Sequence, residues 1–598
     1  MDNKWSRYYS EGEGPTKLDV QRTLYEVLAD TADRFPDRIA IEHGKKHFKY
    51  SQLLSLVDTA AEAFRSIGIA KWDCIALAVH GLPATVITIY AASKIGARVS
   101  MFSTENAPDR FKKLCIDQKC KAVIMTPDQI HSVIDVLPET MLKSVIVVKY
   151  GDYFTLNDRI RSPIRKVLAL DSSRVRQSEL PSEVSLIYWL DLLRRDEISE
   201  HQPFEKISAS DTVVYLNGGS VTGKVMTTEL SSVALNEQAS LDIFIITKDS
   251  EKDVPVRSLS FIDRYFSCGL CLGIHSIIAS GNTMLLYAGN LTRFPVDVFG
   301  FYKPDVVIGY PGLLMQMTES TIIRLTDVSF LDKIVSCGAV MNPGQCYELR
   351  RFFDRSRCDV SVERVYGIDE TGSVYIYNPS SLENDRILGI PIPGVLVKIM
   401  DPDSETEMPA GQQGQICVCT PSVMSRYAGD EEIGKIAKRR FKDGRVWICT
   451  GDTGHEDDNG LIYFDGNTKR IVERNGMLIY PYVIEEEIVS ITGVKEVCAV
   501  VVDEATSPRV VAVVVPEDEY LFDASRLDEL KTLIEAECNL TLPAGMRPDE
   551  IEFRAYLPKE NFGKNDHDAL RIQIESRDTD EEIDLEAEED PADDTLIQ

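Results

Sequence analysis

The chain has 598 residues, of which 44% are hydrophobic, and a formal net charge of −30 at pH 7. So acidic a chain repels nucleic acid, which excludes that partner class, and no apolar run approaches the length that spans a bilayer. The opening MDNKWSRYYSEGEG lacks the apolar core of a signal peptide, so a cytoplasmic address is expected.

From the N-terminus, residues 23–35 carry apolar positions at helical spacing and lead to a strand-like Ile39-Ala40-Ile41. A strand entry and an amphipathic helix ending near Gly68 follow, then the strand IALAVHG, a helix from Pro83 to Lys94 and a strand after Gly96. Strands alternating with helices predict a doubly wound α/β domain. Between 152 and 205 the composition shifts, and Arg159, Arg161, Arg165 and Lys166 stand among spaced aliphatics. A basic amphipathic segment of that kind can lie on an anionic membrane, so weak peripheral contact through 156–170 is one expectation; packing on the chain's own domain is the other.

The strand Asp211–Tyr215 runs into LNGGSVTGKVMTT. A glycine-rich turn after a strand lets backbone N–H groups converge on phosphate oxygens, with Lys224 adding charge. Residues 258–287 form a long apolar segment rich in small residues, and VYGIDET follows at 365–371. The stretch from Thr450 to Ile488 is dense in turns: Thr450-Gly451-Asp452, Asp457-Asp458-Asn459-Gly460 and Asp465-Gly466, then the basic pair Lys469-Arg470. Two β-rich runs (VKEVCAVVVDE and RVVAVVVPE), a helix near 526–539 and the loop LPKENFGKND come next. From Asp578 to Asp594 eleven acidic residues stand without a basic one, which predicts a disordered, self-repelling tail. Thirteen cysteines show no secreted-domain rhythm; Cys268-Gly-Leu-Cys271 has ligand spacing but no second pair, so buried free thiols are expected there. None of the eight histidines stands in a ligand-like cluster, and no metal site built by the protein alone is expected.

These motifs, in this order, resemble the adenylate-forming (AMP-binding) superfamily: acyl-CoA synthetases, amino-acid adenylation domains and luciferases. Lys4-Trp5, Tyr8-Tyr9 and Glu11-Gly12 look like the leader of bacterial fatty-acid ligases. The resemblance implies a large α/β N-terminal domain of αβαβα type with a β-barrel-like subdomain over 1–468, a mobile α+β C-terminal domain over 469–577 joined by a hinge, and the acidic tail over 578–598. It makes Tyr215, Gly218, Ser220, Thr222 and Lys224 the phosphate loop. Gly269, Leu272, Gly281 and Thr283 match the segment beside the acyl pocket, and Gly338-Ala339 the backbone that meets adenine. Tyr366 would stack on adenine, Glu370 would hold Mg²⁺, and Asp452 would bind the ribose hydroxyls, where one carboxylate can accept from a vicinal diol. Lys469 is implied as the hinge, Gly476 and Pro481 as the turn lining the thiol tunnel, and Lys564 as the catalytic lysine.

The pattern departs at three places. In the phosphate loop Asn217 and Gly219 replace hydroxyl residues, Val221 replaces a glycine, and Gly223 and Val225 flank Lys224; Val tolerates positive φ poorly. Asp369 stands for a neutral threonine beside the α-phosphate, where a carboxylate repels. Asn467 stands for an arginine and brings no charge. The resemblance implies ATP, Mg²⁺ and CoA, or a phosphopantetheine carrier protein, acting on a carboxylic acid, with a fatty acid favoured. The departures keep open a catalytically weak homologue that binds acyl ligands or partners. An amino-acid-activating ligase is a further alternative, with Asp263 the only nearby acid to pair with an amine.

Overall fold

The computed structural model describes residues 4–10, 13–79, 81–102, 108–153, 175–194, 204–219, 225–247, 254–287, 296–355, 358–382, 384–402, 404–429, 431–467, 472–474, 477–479, 481–502, 508–521, 523–559 and 565–588. The chain divides into two compact units, residues 1–450 with 455–463, and residues 451–454 with 464–598. Segment 156–170, where membrane contact was considered, lies outside the described residues.

Local signals in the first unit produce the expected alternation. Thr23 caps the helix Leu24–Arg34 by accepting from the Glu26 N–H, while the Glu26 side chain accepts from the Thr23 N–H, a reciprocal capping box. The helix Tyr50–Ser66 buries Leu53, Val57, Ala60, Ala61 and Phe64 along one stripe. Pro83, whose fixed φ suits a first turn, opens the helix Pro83–Ile95.

Two large sheets result. One orders its strands Ile390–Pro391, Ser373–Asn378, Ser361–Ile368, Lys333–Ser336, Val306–Gly309, Arg257–Ser260, Thr283–Leu286, Ile39–His43 and Lys46–Lys49. From Ser361–Ile368 to Ile39–His43 every pairing is parallel, and the edges are antiparallel. The other orders Arg426–Ala428, Val225–Ser231, Thr212–Gly219, Arg98–Met101, Cys74–Leu77, Cys120–Met125, Ser144–Val147 and Ser185–Tyr188. Its strands CIAL and SVIV are buried at every position, as strands covered on both faces must be. The piece expected as barrel-like contains antiparallel strands, with Leu396–Met400 paired to Gly414–Cys419 and Lys438–Arg440 to Val446–Glu456.

In the second unit Val494–Val502 lies antiparallel to Arg509–Pro516, which lies parallel to Glu550–Phe553. Alternation sorts the side chains: Val497, Ala499, Val510, Ala512 and Val514 pack with Ile484, Ile488, Leu530 and Ile534 from the helices Pro481–Val489 and Ala524–Thr541. Cys498, Val500, Val511 and Val513 face Leu570 and Ile574 of the helix His567–Glu588. That helix corrects one expectation. Residues 578–588, read as the start of a disordered tail, continue it: the glutamates with Leu585 and Ala587 favour helix, while the run of acidic charge opposes it.

Candidate active site

Four adjacent parallel strands deliver the site residues of the first unit to one edge. Ser267 follows Arg257–Ser260, Tyr310 follows Val306–Gly309, Gly338 follows Lys333–Ser336, and Tyr366 to Glu370 close Ser361–Ile368 and the turn after it. The carboxyl ends of parallel strands are where open α/β sheets bind ligands, because the connecting loops there all start from one rim.

Contacts across this rim join motifs far apart in sequence. Asp369 Oδ1 accepts the Ser267 N–H at 2.9 Å. A Cβ added to Gly218 would stand 2.9 Å from Asp369 Oδ2, so the carboxylate packs on the bare backbone of the phosphate-loop strand. Gly338 has φ +84°, and a Cβ there would lie 2.6 Å from the Tyr310 ring; both facts demand glycine. Tyr366 packs edge-on against Tyr375, with ring centroids 5.7 Å apart.

Glu370 is buried, and the Tyr427 hydroxyl donates to its Oε1. Tyr427 also lines a cleft of about 400 Å³ with Gln118, Tyr215, Glu229 and Arg426. Sequence reasoning missed Tyr427 because no spacing rule links residues 57 apart. Glu370 offers a buried carboxylate, a hard oxygen donor of the kind Mg²⁺ takes, so it fits that ion.

The strands Thr212–Gly219 and Val225–Ser231 pair antiparallel on either side of the segment expected to be the phosphate loop. Ser220, Thr222 and Lys224 lie outside the described residues. The Asn217 departure has a local cause. Its amide donates to Ser100 Oγ at 3.0 Å and Met101 O at 2.8 Å, and its oxygen accepts from Gln118 and Thr227, both at 2.7 Å. Asn217 ties neighbouring strands together, while Gly218 alternates to the opposite face.

The apolar stretch at 258–287 is a strand, Arg257–Ser260, a helical run from Ser267 to Ser280, and a strand, Thr283–Leu286. The run widens to a π-turn at Cys271–His275, a feature that recurs at functional sites. His275 bridges the Tyr90 hydroxyl at 2.9 Å and Asn236 at 2.8 Å, and burial drops its pKa to about 3. Beside it burial pushes Asp242 up to about 7, although Ser276 and Gln238 donate to its carboxylate.

One cysteine expectation is overturned here: Cys268 is disulfide-bonded to Cys337. The parallel sheet brings these two to the same rim across 69 residues, a distance no local spacing reveals. Cys271 is a buried free thiol. Asp263 sits beside buried Arg264, whose pKa falls to about 10 through desolvation while Asp263 opposes the fall. Asp263 Oδ2 accepts from the Tyr310 hydroxyl at 3.5 Å, and Arg264 donates instead to Ser260 and the Ile262 carbonyl.

In the second unit Asp452 is buried, and its Oδ1 accepts from the Asn467 amide at 2.8 Å. Asn467 therefore orients the carboxylate expected to bind ribose. Lys469, Gly476 and Lys564 lie outside the described residues. Ala339 is half-buried directly after Gly338.

Comparisons with known proteins identify the family. The family model described as AMP-binding enzyme matches residues 28–428, and that described as AMP-binding enzyme C-terminal domain matches 483–564. A long-chain-fatty-acid–CoA ligase of Salmonella typhimurium is 23% identical over 582 residues, covering 94% of this chain and 97% of that protein. An indoleacetate–CoA ligase of Aromatoleum aromaticum is 24% identical over 562 residues, covering 93% and 99%. Among solved structures, an anthranilate CoA ligase in complex with anthranoyl-AMP superposes with a TM-score of 0.75 at 17% identity, covering 93% of this chain and 98% of that one. A benzoate CoA ligase from Burkholderia xenovorans gives 0.73 at 18% identity, covering 92% and 100%. With both family models matched in order along its length, the chain belongs to the AMP-binding enzyme family.

Proposed function

We propose that the protein is an AMP-forming acid–thiol ligase: it activates a carboxylic acid with ATP and passes the acyl group to the thiol of CoA or of a carrier-protein phosphopantetheine. The observation that carries this reading is the shared rim, where Ser267, Gly338, Tyr366 and Asp369-Glu370 stand at the ends of adjacent parallel strands with Gly218 against Asp369. A fatty acid is the favoured substrate class. It is supported by the fatty-acid ligase relatives and by the buried, largely apolar helical run at 267–280.

In the first step a carboxylate oxygen bonds to the α-phosphorus as the bond to pyrophosphate breaks. Tyr366 and Gly338 hold the adenine, Asp452 the ribose, and Gly218 with Ser220, Thr222 and Lys224 the phosphates. The role proposed for Lys564 is to offset the repulsion of two anions, and much of the acceleration would come from holding them in line. Glu370 would hold Mg²⁺, which would supply neutralisation of the phosphate charge. In the second step a thiol sulfur bonds to the acyl carbon and AMP leaves. Lys469 is the proposed pivot for residues 469–577, and Gly476 is proposed for the thiol path.

A second reading rests on Asp369. Its carboxylate takes a backbone N–H at the rim and adds negative charge where a phosphate would come, as in an acyl-binding homologue that has lost catalysis. Carboxylate-dependent ATP–pyrophosphate exchange across fatty, aryl and amino acids, with Lys564→Ala as control, separates the two. Exchange stimulated by one acid class and abolished by the substitution supports the ligase. No exchange with any acid, together with no ATP binding, refutes it.

A further inference from the structure

Three ligand-type side chains meet in the second unit, at its edge strand Val494–Val502. Glu485 comes from the helix Pro481–Val489, Cys498 from the edge strand, and His567 opens the helix His567–Glu588. Their donor atoms all lie within 4.8 Å of one another. Cys498 Sγ and His567 Nδ1 are 2.9 Å apart, and Glu485 Oε1 is fixed by the Ala499 N–H at 2.8 Å. Cys498 is fully buried, whereas Glu485 and His567 are half-buried.

We propose that Glu485, Cys498 and His567 bind a zinc-class divalent cation. Sulfur and imidazole nitrogen select that class over Mg²⁺ or Ca²⁺, which take oxygen. One carboxylate and one thiolate balance two positive charges, so the loaded site is neutral in a half-buried setting. Tetrahedral zinc holds sulfur at about 2.3 Å and nitrogen at about 2.0 Å, which puts those atoms about 3.5 Å apart. A small outward turn of the His567 ring reaches that separation from 2.9 Å. On loading, the Cys498 S–H bond breaks, the sulfur–metal bond forms, and the proton leaves to solvent. Full burial of Cys498 closes off the competing use, a nucleophile working on a bulky substrate.

The site joins three elements that hydrophobic packing otherwise holds separately. Residues next to it already bind the chain end to the edge strand: Asn565 donates to Val497 O at 3.4 Å, and Lys559 pairs with Glu496. His567 stands three positions after Lys564 in sequence, so a cation here anchors the start of the helix that follows the lysine loop.

The test is titration of the chelator-stripped, reduced full-length protein with Co²⁺ and Zn²⁺. The expected result is one Co²⁺ per chain with the near-ultraviolet thiolate-to-cobalt charge-transfer band, displaced by Zn²⁺. Cys498→Ser should remove the band, and Glu485→Gln should keep it while weakening Zn²⁺ at least tenfold, with far-ultraviolet circular dichroism unchanged. Absence of the band in the wild-type protein overturns the proposal, whether or not the variants fold. So does a band that survives Cys498→Ser, because the sulfur is then another cysteine.

Discussion

Asp369→Asn isolates one charge with little change of shape. The amide oxygen can still accept the Ser267 N–H that Oδ1 now takes at 2.9 Å, and the other atom still fits over Gly218. What changes is the field at the rim. A phosphate seated against the Gly218 strand end would stand about 5 Å from this carboxylate, where two unit charges at an effective dielectric near 20 repel by about 3 kcal/mol. Solvent and salt reduce that, so the substitution should tighten ATP binding by about 1–3 kcal/mol, roughly five- to 150-fold. Isothermal titration calorimetry with ATP, at low and high salt, reads the change directly, and the gain should shrink with salt. A folded Asp369→Asn protein that binds ATP no better, or worse, refutes the reasoning. The carboxylate would then act through a bound cation or away from the nucleotide.

Glu370→Gln should lower the exchange rate at least tenfold and raise the Mg²⁺ concentration needed for half-maximal rate, since the buried carboxylate proposed to hold Mg²⁺ is lost; magnesium titration of exchange checks this. Asn467→Ala removes the amide that donates to Asp452 and should weaken ATP binding by about 1 kcal/mol, roughly fivefold, with the acyl substrate unaffected. Asp242 has a folded pKa raised to about 7, so its protonated form stabilises the fold fully below about pH 4 and that contribution fades as pH rises through 7. Asp242→Asn should remove this loss, seen as a melting temperature that falls less between pH 5 and pH 8 (about those values) than in the wild type. His275 and His43 run the other way: burial lowers them to about 3 and about 4, so their neutral forms stabilise the fold above pH 6.5, the stability falling as pH drops through the folded values. His275→Gln should blunt acid unfolding, followed by circular dichroism.

Much of the first unit was legible because its signals are local. The spaced apolar positions of 23–35 and the proline at 83 announce helices, and Ile39-Ala40-Ile41 and IALAVHG announce strands. The order of the motifs carried the rest, including the Asp369 departure. The illegible features all depend on pairings across long stretches of chain. Asn217 looked like a lost hydroxyl at a phosphate loop, yet its four hydrogen bonds reach other strands and a helix end. Tyr427 on Glu370, Cys268 with Cys337, and the meeting of Glu485, Cys498 and His567 follow from tertiary proximity, which periodicity does not encode. The helix through Glu588 shows the converse error: charge was weighed where helix propensity decided.

The rim of parallel strand ends has a consequence for folding. Ser267 and Asp369 meet across 102 residues, and each intervening strand must take its place before their hydrogen bond exists. Such non-local pairing makes for slow assembly, because loop-closure entropy is lost before the contacts form. A fragment ending before Ser361–Ile368 therefore lacks Tyr366 to Glu370 and cannot complete this rim. A nucleotide that binds there recognises the completed sheet alone, and so shifts the whole unit toward its folded form.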